Sequence, residues 1–514
     1  MSASLPFVPV SLSLADLLGA DYLAAACAAC SELSGESLAA LEAVATERID
    51  FFPAAMQQRI VDLLARVGQP VSRPASGAPV GATTAGFASH SQLETAPLSA
   101  YGPYRVGQDG HLYLSSKSAH YHAPLGHSFP GYRLLDLARC LGIPNATHNN
   151  TRGVAIRRHE EELVRLAAGG EGRLCRVLNL QTGSLADEAA LKLALARFYR
   201  VEGAVPEPQY AGRIPVILVL GDDTGDLAAN YHGTTFFTQF TRGMWPELTD
   251  RLAQAGLYEV RCVRPNSIED LETVFREADS GPRKIAAFFH EFVMMNYGAR
   301  RLEPAFVHRA YELCAEHDVP TVDDEIQTCV WGRGLFAYKE YGVVPNMVVI
   351  GKGFPGGEYA GSRLLFDAVY DRLPQFGALV TNGQEELTAL AYLVTIHWAE
   401  ANDAVTAAIG EHYEARIRAL GEQYADLISS VEGCRHLNGL SFHRLEQAKT
   451  FVAYLTRAGL DISVQTYKTS CLPTALTKLP LIASREVADF VVDRMAEALA
   501  VARNTHHEDT KNTK

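Results

Sequence analysis

Short runs of β-branched and aromatic residues alternate with helical apolar stripes through the middle of the chain, a pattern that predicts a largely parallel α/β sheet covered by helices. The predicted strands are Arg176 to Leu180, Val216 to Leu220, Glu259 to Val263, Ile285 to Phe289, Val319 to Asp323, Met347 to Ile350 and Ser362 to Phe366. Helix-like segments fall between them, among them Asp187 to Tyr199, Ile268 to Glu277 and Pro304 to His317. From Leu14 to Val67 the periodicity is helical throughout. Leu38, Leu41 and Ala45 make one stripe; Met56, Ile60, Leu63, Leu64 and Val67 make another, with Pro53 breaking between them and Gly68 stopping the second. Tyr104 to Leu114 reads as a hairpin turning at Asp109-Gly110.

These shifts divide the chain into a helical extension (1–68), a flexible linker rich in Pro, Gly, Ala, Ser and Thr (69–98), the first part of a small domain (99–150), a large α/β domain (151–400), a smaller C-terminal domain of mixed elements (401–502) and a disordered tail (503–514). Ligands of open α/β sheets sit at the carboxyl ends of the strands, and the polar candidates fall there.

Composition narrows the function classes. The 514 residues are 47% hydrophobic and 20% charged, as in a soluble globular protein. A net charge of −13 argues against a nucleic-acid binder, whose affinity comes from excess Lys and Arg. No stretch approaches the roughly 18 to 20 apolar residues that span a bilayer, and the amino terminus carries Asp16 and Asp21 without a basic lead, so a cytoplasmic location is expected. Nine cysteines, an odd number, fit reduced thiols and no disulfide framework. Cys27 and Cys30 form a CxxC, but with only alanines between them and no second pair they read as a helix face, and no metal is expected.

The candidate chemistry centres on Lys352. Val348-Val349-Ile350 carries it into Gly351-Lys352-Gly353, with Asp323-Asp324-Glu325-Ile326-Gln327 upstream. Burial at a strand end lowers an ammonium's pKa, which makes a neutral amine able to attack a carbonyl accessible. That is the chemistry of pyridoxal 5′-phosphate, which also needs an acid for its ring nitrogen, a donor for its phenolate and a phosphate cradle. The cradle candidate is Thr182-Gly183-Ser184, between a strand and a helix whose first turn offers free amides and a positive dipole end. Tyr231, in Tyr231-His232-Gly233, is an aromatic able to lie on a heteroaromatic ring.

In this order the segments resemble the class III (ω) aminotransferases, fold-type I pyridoxal phosphate enzymes, over roughly residues 101–499. The matching pieces are Leu125-Gly126-His127 with Pro130, Thr182-Gly183-Ser184 with Asp187 to Lys192, Tyr231-His232-Gly233, Glu291, Asp324 to Gln327, Gly351-Lys352 and Thr381-Asn382-Gly383. The resemblance implies that Lys352 forms the Schiff base with the cofactor and shuttles the proton. Asp324 would pair with the ring nitrogen, Gln327 with the phenolate oxygen, and Ile326 and Tyr231 would cover the two ring faces. Thr182, Gly183 and Ser184 would hold the phosphate, Thr381 would reach that of a neighbouring subunit, and a homodimer with shared active sites is expected. Asp323 competes with Asp324 for the ring nitrogen; strand alternation allows only one of them to face the cofactor, and the resemblance selects Asp324. His290 and His232 read as structural histidines, and Tyr297 is a substrate-side candidate.

Departures from the family pattern concern the substrate. Where the family has an arginine before a Pro-Pro-Leu segment, this chain has Leu476, and Lys478 nearby is a point charge and not a fork. Leu185 replaces a usual glutamate, and Cys329-Val330-Trp331 is bulkier than the usual glycine-rich stretch. Two activities on an amine or amino-acid substrate follow: amino-group transfer, or the same carbanion diverted to elimination, replacement or carbon–carbon bond formation, for instance on S-adenosylmethionine in specialised metabolism.

Overall fold

The computed structural model describes residues 6–512 except 78, 80, 146–150, 169–170, 203–206, 379, 381–382 and 467–470. Its centre is a seven-stranded sheet ordered Arg176–Leu180, Ser362–Phe366, Met347–Ile350, Thr321–Asp324, Arg283–His290, Ile214–Leu220 and Glu259–Val263. Ser362–Phe366 runs antiparallel to both neighbours and all other pairs are parallel. The seven strands are those the sequence pattern predicts, because each is a short apolar run too brief for a helix and bounded by turn residues. Side-chain alternation sorts them onto two cores: Val216, Leu218 and Leu220 enter one, Ile217 and Val219 the other. Helices including Gly183–Leu195, Ile268–Ala278 and Pro304–Glu316 cover the faces.

Two smaller sheets flank this body. One is antiparallel, ordered Ile428–Cys434, Leu437–Phe442, Thr474–Lys478 and Ser463–Gln465. The other joins Pro97–Tyr101, Tyr104–Gly107 and Leu112–Ser115 to the distant strand Leu460–Asp461, which pairs in parallel with Leu114 and Ser115. The hairpin turns at Gly110, whose φ of +82° an L side chain would strain. Its third strand begins at Pro97, inside the stretch that composition assigns to a linker. The same stretch is pinned to the hairpin by Val71 and Ala75 amides donating to Gly110 and Gln108 carbonyls, and it holds a short helical turn at Ala85–Ala88.

The amino-terminal helices Leu14–Leu18, Ala20–Ser34, Leu38–Thr46 and Ala54–Leu63 dock on the body of their own chain. Ser13 and Asp16 close a capping box at the first. Phe7, Phe52 and Phe129 surround Trp398 with ring centroids 5.7–5.8 Å from it, and the Val8 backbone exchanges hydrogen bonds with the Asn402 side chain at 2.8 and 3.2 Å. Leu41, Ala45, Met56 and Ile60 are buried as the stripes predict, whereas Leu38 faces solvent.

The last helix runs Arg485–Asn512, through the residues expected to form a disordered tail. The apolar stripe ends at Ala502, but no Pro or Gly follows to stop the backbone, so it continues as helix. No helix among the described residues is long and apolar enough to cross a membrane. The described cysteines are free thiols, Cys27 and Cys30 lying on Ala20–Ser34 as a helix face.

Candidate active site

Four strand ends and one strand start converge on a single cavity of about 260 Å3. Gln181 to Ser184 leave Arg176–Leu180, Asp324 ends its strand and leads to Ile326 and Gln327, and Lys352 follows Met347–Ile350. Ser362 opens the antiparallel strand, and Tyr231, His232 and Gly233 come from the loop beyond Ile214–Leu220. Eight of the nine residues expected to form the site, Thr182, Gly183, Ser184, Tyr231, Asp324, Ile326, Gln327 and Lys352, line this cavity. Thr381 lies outside the described residues.

Lys352 sits in a turn with φ of +32°, a conformation costly for a residue with a side chain and one that surrounding packing must hold. Burial lowers the pKa of its amine, opposed by the charges of Asp324 and Glu291. On the acid side, Asp324 is buried. Its Oδ1 accepts from the Ile326 amide at 3.1 Å and its Oδ2 lies 2.8 Å from His232 Nδ1. The Gln327 amide donates to Glu291 at 3.3 Å. Asp323 points to the other side of its strand, in register with His290 and beside Glu325, as alternation requires. Burial and the Glu325 charge push its carboxyl well up; Glu325 itself is raised to about 7 by burial.

The turn at the helix Gly183–Leu195 is built for close approach. A Cβ on Gly183 would come within 2.8 Å of Ile326, and one on Gly233, already at φ +122°, within 2.7 Å of the Ser184 backbone. Thr182 caps the helix by accepting from the Leu185 amide at 3.4 Å, and the Ser184 hydroxyl accepts from the Thr234 amide at 3.0 Å. The Gly183 turn and the Tyr231 loop are thereby joined. Tyr231 carries the Arg242 guanidinium 5.0 Å from its ring centre, which fixes the ring on the cavity wall.

The side chains opposite follow no sequence signal. Ser118, Ala119, His120 and Tyr121 all have positive φ, between +47° and +73°, a left-handed turn that L residues resist at roughly 1–2 kcal/mol each. It brings the Tyr121 ring among three lysines: Lys478 at 4.3 Å, Lys352 at 5.2 Å and Lys117 at 5.8 Å from the centroid. Lys478 is fully buried, 3.6 Å from the Trp331 ring centre, and donates to the Gln327 carbonyl. It is not among the residues that line the cavity, and Leu476 is buried in the antiparallel sheet. Tyr297 also stays off the cavity wall, its hydroxyl donating to Asp223 at 3.2 Å. His290 is held between Phe288, Phe292 and Tyr311, and burial lowers its pKa to about 3.

Two cavity residues were not singled out by sequence as functional. His232 is a direct partner of Asp324, and Asp187 lies close enough that ligand atoms of Asp187, His232 and Asp324 fall within 4.8 Å of one another. Such a trio can hold a metal ion; a lysine across the cavity and a helix terminus beside it instead suit an organic anion with a basic ring nitrogen. The residues therefore fit pyridoxal phosphate: an amine for its aldehyde, an acid supported by imidazole for its nitrogen, and a glycine-hydroxyl helix start for its phosphate.

The comparisons agree with the geometry. The family model "Aminotransferase class-III" matches residues 88–499. An acetylornithine aminotransferase of Synechocystis is 29% identical over 52% of this chain and 58% of its own length, and one of Thermosynechococcus vestitus is 25% identical over 63% and 74%. The chain thus spans little more than half of the first of these relatives. Among solved structures, a transaminase from the marine bacterium Virgibacillus superposes with a TM-score of 0.67 at 17% identity, covering 83% of this chain and 97% of the other. An ornithine aminotransferase of Toxoplasma gondii gives 0.65 at 19%, covering 81% and 92%. With its matched span, its mixed seven-stranded sheet and its lysine cavity, this chain belongs to the class-III aminotransferase family of fold-type I, pyridoxal phosphate-dependent enzymes.

Proposed function

We propose that the protein is an aminotransferase that moves an amino group from an amine or amino acid to a carbonyl acceptor, with Lys352 as cofactor anchor and proton carrier. The observation that carries the reading is the placement of Lys352 and the His232-supported Asp324 on one cavity with the Gly183–Ser184 turn. When bound, pyridoxal phosphate supplies an aldehyde and an electron-accepting ring. Lys352 then has two tasks, binding covalently through Nζ and, once displaced, moving a proton with the same atom; a burial-lowered pKa serves both. Asp324 would pair with the ring nitrogen, Gln327 would donate to the phenolate, Ile326 and Tyr231 would flank the ring, and Thr182, Gly183 and Ser184 would take the phosphate.

We infer a homodimer in which Thr381 reaches the neighbouring site. Phe236, Phe237, Met244 and Trp245 support it: they leave an exposed aromatic face on the segment that follows the Tyr231 loop. The expected location is cytoplasmic. Relatives named for amino transfer favour that chemistry over elimination or replacement, while leucine at position 476, where the family has an arginine, points to a substrate with no carboxylate held there by a guanidinium fork.

The test is a single half-reaction. Holoenzyme mixed with a panel of amines and amino acids, without acceptor, should convert to the pyridoxamine form with release of a carbonyl product. Return of the aldehyde form with an eliminated or substituted product would reject amino transfer. Borohydride reduction followed by peptide mapping should place the cofactor on Lys352.

A further inference from the structure

Asp187 is a buried carboxyl group that the roles above do not use. It stands in the second turn of the helix Gly183–Leu195, is 1% exposed, lines the cofactor cavity, and its Oδ1 has no hydrogen-bond partner among the described residues. The titratable groups near it are Asp324 at the end of Thr321–Asp324, Glu291 after Arg283–His290 and His232 in the Tyr231 loop, and Lys352, after Met347–Ile350, lines the same cavity. Two carboxylates cannot both carry charge this close in a buried site without large cost, so one proton stays with the pair. Burial and the neighbouring charges of Asp324 and Glu291 place it on Asp187, pushing that carboxyl well above its ordinary range. Geometry is consistent with that assignment: His232 Nδ1 lies 2.8 Å from Asp324 Oδ2, whereas Asp187 Oδ1 has no partner among the described residues.

We propose that Asp187 is a second acid partner of the cofactor's ring nitrogen, storing in the empty site the proton that the nitrogen takes on binding. The step balances: the O–H bond on Asp187 breaks, an N–H bond forms on the ring, and one cation is left facing the two carboxylates Asp187 and Asp324. No proton has to be drawn from solvent. The inference rests on the ring entering this cavity with its nitrogen toward Asp324.

The experiment titrates cofactor-free protein with pyridoxal phosphate calorimetrically, in buffers of different ionisation enthalpy, from about pH 6.5 to about pH 8.5. Wild type and Asp187→Asn are compared, with Asp187→Leu as a second variant and melting curves to check folding. Asp187→Asn is expected to take up close to one more proton per cofactor than wild type at the alkaline end. Its affinity should lie within about threefold of wild type at pH 6.5 and tenfold or more below it at pH 8.5, one pKa unit being a factor of ten. A purely structural role would weaken both variants equally at all pH values. Parallel pH profiles with equal proton counts overturn the proposal. Wild type that binds no cofactor, or binds it with no label on Lys352 after borohydride, overturns instead the reading of the cavity and the proposal with it.

Discussion

His232 Nδ1 lies 2.8 Å from Asp324 Oδ2 with both side chains buried, so the imidazole fixes the carboxylate proposed to face the cofactor's ring nitrogen. A hydrogen bond to a charged group contributes about 1.5–3 kcal/mol, a factor of roughly 10 to 100 in affinity. His232→Ala is expected to bind pyridoxal phosphate more weakly by that factor while melting near wild type. Unchanged affinity in equilibrium dialysis would show that Asp324 needs no such support.

Gly351 places the lysine turn against its neighbours: a Cβ there would lie 2.3 Å from Ser362 Oγ and 2.9 Å from Ile326. The serine can rotate, but Ile326 is itself a cavity wall. Gly351→Ala should therefore destabilise by about 1–3 kcal/mol and lower cofactor affinity, because Ile326 is driven toward the ring. Thermal melts with and without cofactor check both, and an alanine variant of full affinity contradicts the packing argument.

The Asp323–Glu325 pair gives stability a pH signature. Both carboxyls titrate above their unfolded values of 3.8 and 4.5, Glu325 at about 7. The folded state thus binds more protons, and its stability falls as pH rises from about 4 through about 7. Asp323→Asn removes the repulsion with Glu325. Its melting temperature, relative to wild type, should climb between pH 5 and pH 8; a constant offset would refute the assignment. His290 and Tyr311, which also face this pocket, are common to both proteins.

Lys478 is predicted to act on the cofactor without touching the cavity. It donates to the Gln327 carbonyl and packs on Trp331 and Tyr121. In Lys478→Met the lost hydrogen bond, about 1 kcal/mol, is offset by removal of a buried amine. Stability should then change little while cofactor affinity falls several-fold as Gln327 loosens. Lower stability at unchanged affinity would confine the residue to the fold.

Much of this was legible in the chain. The seven strands announce themselves as buried runs of four to eight residues, and Lys352, Asp324 and Gln327 stand at strand ends, where glycine and carboxylates interrupt apolar sequence. What sequence hides is contact across distance. His232 reads as one more histidine until Asp324, 92 positions away, is seen beside it. Asp187 reads as an ordinary helix residue until the sheet brings it to the same point. The turn at Ser118 to Tyr121 opposes local preference at four successive residues, so no propensity argument could have found it. The linker and tail were underestimated for a related reason: composition registers missing apolar stripes, not the backbone hydrogen bonds that hold residues 71–75 to the hairpin or the helix that runs on past Ala502.

The pairing of Leu114 with Leu460 has a consequence for biosynthesis. A ribosome must translate past Leu460 before that ladder can close, whereas every strand of the lysine-bearing sheet has been made by Phe366. Nascent chains should acquire the catalytic sheet first and leave the strands of residues 97–115 waiting with an open edge, the interval in which a chaperone would have most to shield.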